Sequence, residues 1–191
     1  EFFFKLQKRP YLKNSIVIVV GDHSFPIDEH EQNHHNEVFA YEENFRTPML
    51  LIWNGRLAPR RVGGDAFSQI DVAPTLMELL GIHAQNHFLG RSMLADDPTG
   101  GRVAHVIQPY DGRYLGAVRW PMKYLKHLRT NREFLYDLAA DPHEDRNLAG
   151  YREHRADMDA LRKELSVILH NQKLIVENRI WPPSPPDPDA R

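Results

Sequence analysis

Two adjacent residues offer the most direct chemistry in this chain. Asp22 brings a hard carboxylate oxygen and His23 an imidazole nitrogen, immediately after the run Ile16-Val17-Ile18-Val19-Val20-Gly21. Such a pair suits Mn, Zn, Mg or Ca to differing degrees, the histidine favouring the transition metals. A loop start with a capping aspartate and a solvated histidine would use the same dipeptide. A second constellation, His30-Glu31-Gln32-Asn33-His34, matches H-E-x-x-H, which on a helix presents two zinc ligands and a glutamate base, as in a zinc protease. Its neighbours Asp28, Glu29, His35, Asn36 and Glu37 give such a helix no apolar face to bury. Asp71, the Asp96-Asp97 pair and the carboxylates from Asp137 to Asp145 read as caps and solvated turns. Neither a G-x-S-x-G elbow nor a P-loop occurs, so no nucleophile is legible in these residues.

The elements that must position these side chains follow from periodicity. Ile16 to Val20 is an unbroken β-branched run, the pattern of a strand buried on both faces of a parallel sheet. Ligands collect at the carboxyl ends of strands in open α/β sheets, which is where Asp22 and His23 stand. Ser24 to Asn44 is polar, rich in histidine and without either period, so a long loop is expected. Pro48 to Trp53 is a second apolar strand. Ser68 or Asp71 caps a following helix whose Val72, Leu76, Leu79 and Leu80 share a face before Gly81 stops it. Stretches 103–108, 114–119, 123–128 and 133–138 alternate as strands. The turns at Asp111-Gly112, Trp120-Pro121 and Thr130-Asn131 make them an antiparallel meander with Tyr136 and Leu138 pointing inward. Asp141-Pro142 is expected to begin a further helical stretch. Met158, Leu161, Leu165, Ile168 and Leu169 then form an apolar stripe, so the helix around 151–170 should cover the meander.

Composition narrows the class. The chain has 191 residues, 41% of them hydrophobic and 26% charged, enough for one substantial core. A net charge of −2 gives no excess cation to attract nucleic acid or an anionic membrane. No apolar run approaches the roughly 20 residues that span a bilayer. The absence of cysteine excludes disulfides and thiolate metal sites. Phe3, Phe4 and Leu6 ahead of Arg9-Pro10 suit the last turns of a helix entering a strand, as if residue 1 were a cut inside a larger protein. Residues 181–191 form a proline-rich tail that cannot donate ladder hydrogen bonds.

Several blocks in order resemble the sulfatase family of the alkaline-phosphatase superfamily, a group that includes lipoteichoic-acid synthase-like phosphoglycerol transferases. Asn14 to His23 is similar to that family's strand and metal-binding turn. Tyr41-Glu42-Glu43-Asn44-Phe45-Arg46-Thr47-Pro48 resembles its Y-E-E-x-x-R-x-P segment. Ser68 to Leu76, Leu79 to Ile82 and Leu89-Gly90-Arg91-Ser92-Met93 resemble its D-x-x-P-T-L helix and G-x-S-L loop. Tyr136-Asp137-Leu138, Asp141-Pro142, Glu144 and Asn147-Leu148 resemble its Y-D-L, D-P-x-E and N-L block. Together these blocks cover roughly residues 10 to 150.

The resemblance implies an α/β fold: the C-terminal part of an alkaline-phosphatase-like sandwich, with parallel strands plus a small four-stranded antiparallel sheet and a C-terminal helix. Residues 1–100 would be core, 101–180 meander and helix, and 181–191 tail. The implied function is cleavage or transfer of sulfate or phosphate esters with a divalent ion (Mn, Zn, Ca or Mg), with the nucleophile supplied upstream of this chain. A non-catalytic binding module of the same fold is the alternative. Asp22 and His23 map onto the family's late metal-ligand pair. Asp-His in place of Asp-Asn departs from the calcium sulfatases and looks more like lipoteichoic-acid synthases, phosphoethanolamine transferases and some bacterial sulfatases, where the metal is often manganese or zinc. Glu37 stands where the family usually has lysine, which leaves His34 or His35 as the candidate substrate-anion contact, expected to share a cavity with Asp22 and His23. The resemblance further implies a cell-envelope location, periplasmic or membrane-anchored, with membrane contact only through upstream segments.

Overall fold

The computed structural model describes residues 1–6, 8–27, 29–31, 33–35, 38–95 and 101–177. The proline-rich tail and Asp96-Asp97 lie outside them. A short helix α1 (Phe2–Leu6) and a 3₁₀ turn (Pro10–Asn14) lead into strand β1 (Ile16–Val20), as the opening pattern predicts. Strand β2 (Met49–Trp53) pairs with β1, Ile16 opposite Trp53 and Val20 opposite Met49.

That pairing is antiparallel, which corrects the expectation of parallel strands for this pair. A β-branched run reports a strand but carries no direction; direction is set by the connection. A parallel neighbour requires a crossover to the far end of the sheet, usually by a helix. Here the only helix described between the strands is the four-residue α2 (Glu42–Phe45), and the chain returns beside the point it left, with the Gly21 N–H donating to the Pro48 carbonyl at 3.4 Å. Nor do the described residues cover both faces, since Val19, Val20, Met49 and Leu50 all remain exposed.

Helix α3 (Val72–Leu79) starts as its sequence predicts. A capping box closes over the preceding 3₁₀ turn, the Ser68 N–H donating to the Asp71 carboxylate at 3.0 Å. Asp71 also accepts from the Arg91 N–H at 2.8 Å, so it is committed to structure. Gly81, at φ +66°, ends the helix in the left-handed conformation that only glycine adopts without strain.

The meander forms as expected: β3 (Ala104–Gln108), β4 (Tyr114–Arg119), β5 (Met122–His127) and β6 (Glu133–Asp137), in that order and antiparallel throughout. Alternation divides it into two faces. Ala117, Tyr124 and Leu135 pack on Met158, Leu161 and Leu165 of helix α4 (Arg155–Val176). Val106, Val118, Leu125 and Tyr136 face the other way and pack, with Leu138, on Ala40 and Ala66. The inward direction expected for Tyr136 and Leu138 is therefore toward the loop that follows Asp22, while α4 covers the opposite face. Burial and a hydrogen bond to Glu133 push the Tyr124 hydroxyl up to about 12. Arg162 of α4 ion-pairs with the same carboxylate at 2.5 Å.

The helix expected from Asp141-Pro142 does not form. The Asp141 carboxylate instead accepts from the Asp145 and Arg146 N–H groups at 3.2 and 2.9 Å, and Glu144 sits at φ +53°. Asp141 thus closes a turn, and α4 begins only at Arg155. Asn147 then ties the segment to β6, its amide oxygen accepting from the Leu135 N–H at 2.9 Å. Among the described residues no helix is long and apolar enough to cross a membrane.

Candidate metal turn and its buried support

Asp22 and His23 follow β1 at its carboxyl end, as expected. Their side chains are 90% and 63% exposed, and Asp22 Oδ2 lies 3.7 Å from His23 Nε2. Zinc-to-imidazole and zinc-to-carboxylate bonds run at about 2.0–2.2 Å, so one ion can bridge that gap. His23 Nδ1 lies 2.8 Å from the Ser24 carbonyl oxygen. A carbonyl only accepts, so Nδ1 is the donor in that contact, which leaves Nε2, beside the Asp22 oxygen, as the nitrogen that a metal would take. The donor set fits a divalent ion, with these two residues supplying part of its coordination.

The turn is tied down on three sides. Ser24 Oγ donates to the Glu43 carbonyl at 2.7 Å, and Gln69 Nε2 donates to the Gly21 and Asp22 carbonyls at 2.5 and 3.1 Å. On the third side a Cβ added at Gly21 would come within 3.1 Å of Thr47 Cγ2.

Next to the turn is a cavity of about 270 Å³ lined by residues of the 24–46 loop, among them Ser24, Phe25, His30, Glu43 and Arg46, and by Pro142, His143 and Glu144. His30 is built into its wall. Its ring stacks on Tyr41 at 3.7 Å, Nε2 meets the His143 carbonyl at 2.5 Å and Nδ1 pairs with Glu43 Oε2 at 3.1 Å. Burial opposes its charge, but the carbonyl and the Glu43 carboxylate outweigh burial and raise its pKa above the histidine norm. Asn33, fully buried, donates to the Glu43 and Asn44 side chains.

Beneath this layer lies a buried ion triad. Lys123 of β5, 0% exposed, reaches Glu144 at 2.9 Å and Glu42 at 3.1 Å, and Glu144 accepts from the Glu42 N–H at 2.6 Å. Burial holds the Glu144 carboxyl above its ordinary value although Lys123 pulls it down.

The H-E-x-x-H reading meets a direct obstacle. His30 and Glu31 lie in bend and turn conformation, not on a helix, and both His30 nitrogens face acceptors, so neither is open to zinc. Because a raised histidine pKa stabilises only while the ring is protonated, the contribution of His30 is full below the unfolded value near 6.5 and is lost as pH rises through its higher folded pKa. Thermal unfolding from pH 6 to 8 should therefore show a stability decline that His30→Gln flattens; an identical profile in the variant would remove His30 from the support.

His34 and His35 are exposed, and neither they nor Asp22 and His23 are among the residues that line the cavity. Among the described residues no group of three or more His, Asp or Glu side chains is placed to hold a metal, so Asp22 and His23 meet each other but not His34 or His35 in such a group. Gln69 and Lys123 escaped the sequence reading because their partners are distant in sequence. The only signal was that Gln69, Glu42 and Glu144 sit inside the quoted motif blocks.

Comparison with known proteins agrees with this architecture. Residues 1–82 match the family model described as Sulfatase. An N-acetylglucosamine-6-O-sulfatase of Bacteroides thetaiotaomicron is 24% identical over 97% of the chain and 34% of its own length. Phosphoglycerol transferase I of Xanthomonas axonopodis pv. citri is 30% identical over 69% of the chain and 18% of its own length. A protein solved in complex with its substrate D-glucosamine-2-N,6-O-disulfate shares the fold with a TM-score of 0.65 at 24% identity, covering 93% of this chain and 38% of that one. The chain spans about a third of the length of that sulfatase relative. Family match, relatives and fold together make the chain similar to the sulfatase superfamily, and it corresponds to the C-terminal part of that alkaline-phosphatase-like fold.

Proposed function

We propose that this chain is the C-terminal part of a metal-dependent enzyme that cleaves or transfers sulfate or phosphate esters, with Asp22 and His23 as two of the metal ligands. The observation that carries the reading is the pairing of Asp22 Oδ2 with His23 Nε2 at 3.7 Å, the other ring nitrogen held at the Ser24 carbonyl and both side chains open to solvent at the end of β1. A divalent ion bound there would polarise the ester oxygens and stabilise the charge that develops on them. The chain's own residues orient that site: Ser24 and Gln69 fix the turn, and the Glu43 and Lys123 layers hold the loop behind it.

The nucleophile and remaining ligands are assigned to a segment upstream of this chain. His34 or His35 would contact the substrate anion where the family usually places lysine. The names of the relatives favour a sugar sulfate ester, with phosphoglycerol transfer as the phosphate counterpart. A cell-envelope location accompanies either, with any membrane contact made through upstream segments.

The test is turnover of an aryl sulfate and of a phosphate diester by the intact protein, before and after chelation. One of the two should be cleaved, with activity lost to chelator and restored by a divalent ion. The 191-residue chain alone should cleave neither. Turnover indifferent to chelation would remove the metal assignment, and failure on both ester classes would leave the binding-module alternative.

A further inference from the structure

We infer that Gln69 is the positioning residue of the Asp22–His23 turn, acting through its carboxamide on the affinity of that turn for a divalent ion. The inference rests on the function proposed above. Gln69 Nε2 has two hydrogens and meets two successive carbonyls, Gly21 at 2.5 Å and Asp22 at 3.1 Å. Successive carbonyls of an extended strand point to opposite sides. Drawing both onto one donor bends the chain where β1 ends, which is what presents the two adjacent side chains outward with their donor atoms 3.7 Å apart.

The clamp is itself held in place. Gln69 opens the 3₁₀ turn closed by the Ser68 and Asp71 capping box, and Asp71 is anchored to Arg91 at 2.8 Å. Thr47 also packs closely on the turn, its Cγ2 3.1 Å from where a Gly21 Cβ would stand. The Gln69 side chain is exposed and belongs to neither hydrophobic core. Its loss therefore removes a local restraint without opening a cavity.

Groups that orient metal ligands change metal affinity by about 10–100-fold when removed. Gln69→Met keeps the length of the side chain and deletes both donors. In the intact protein it should weaken Mn²⁺ or Zn²⁺ binding, read by titration calorimetry, by about that factor. Excess ion should restore turnover, and the thermal midpoint of the metal-free protein should not move. Gln69→Ala should behave alike. Unchanged affinity in both variants would overturn the inference while leaving the metal site standing, and so would a metal-free midpoint that falls in step with affinity, because the residue would then be a fold element. Metal binding that survives Asp22→Ala at full strength would remove the proposed function and this inference together.

Discussion

Replacing Lys123 by alanine should cost the intact protein about 3–5 kcal/mol of unfolding free energy, the loss expected when one partner of a buried ion pair is removed and the other stays. Lys123 and Glu144 are both fully buried, and Lys123 is the cation shared by Glu144 and Glu42. Without it two carboxylates face each other across the base of the 24–46 loop. The pH dependence has a defined sign. Burial already raises Glu144, and removing the lysine raises it further. The penalty should be greatest above the folded pKa of Glu144, where its charge must be buried, and should shrink as pH falls toward the ordinary carboxylate value. Lys123→Met combined with Glu144→Leu should recover much of the loss, since the fully buried carboxylate is then gone and Glu42, left without its lysine, is 24% exposed. Denaturant titration across pH 4 to 8 reads both effects. A loss below about 1 kcal/mol, as for an exposed pair, would show that the triad does not anchor the loop.

The meander could be read from the sequence because its information is local. Residues alternate along each strand, and Asn131 adopts φ +57° in the Thr130-Asn131 turn, as asparagine tolerates. Helix α4 was readable for the same reason, from the spacing of Met158, Leu161 and Leu165. Strand direction was not local: Ile16 to Val20 reads identically in a parallel or antiparallel pair, and only the return of the chain at Pro48 decides between them. Asp141-Pro142 looked like a helix start because aspartate and proline favour both helix entry and turns, and the positive φ of Glu144 decided for the turn.

Much the same division runs through the site. Asp22 and His23 were legible from their place after an apolar run. The roles of His30, Gln69 and Lys123 come from contacts with residues far away in the chain: His143, Gly21, and the Glu42 and Glu144 pair. Lys123 and Lys126 look alike in sequence, both being lysines on one strand, yet Lys123 alone is buried among carboxylates.

The second large effect concerns activity, and it is the most direct test of the account. Asp22→Ala in the intact protein should abolish turnover of the ester substrate, because the ion loses an anionic ligand and with it the charge stabilisation that cleavage needs. Glu31→Ala should leave turnover near the parent value, since Glu31 is exposed and placed in a turn. A zinc-protease reading requires the opposite order, with Glu31 as the base and Asp22 dispensable. The deciding measurement is kcat/KM on an aryl sulfate or phosphate diester for these two variants beside the parent, with bound divalent ion measured on the same samples. Asp22→Ala is expected to lose both ion and activity while Glu31→Ala keeps both. Peptide cleavage lost with Glu31→Ala and untouched by Asp22→Ala, or ester cleavage that survives Asp22→Ala, would contradict it.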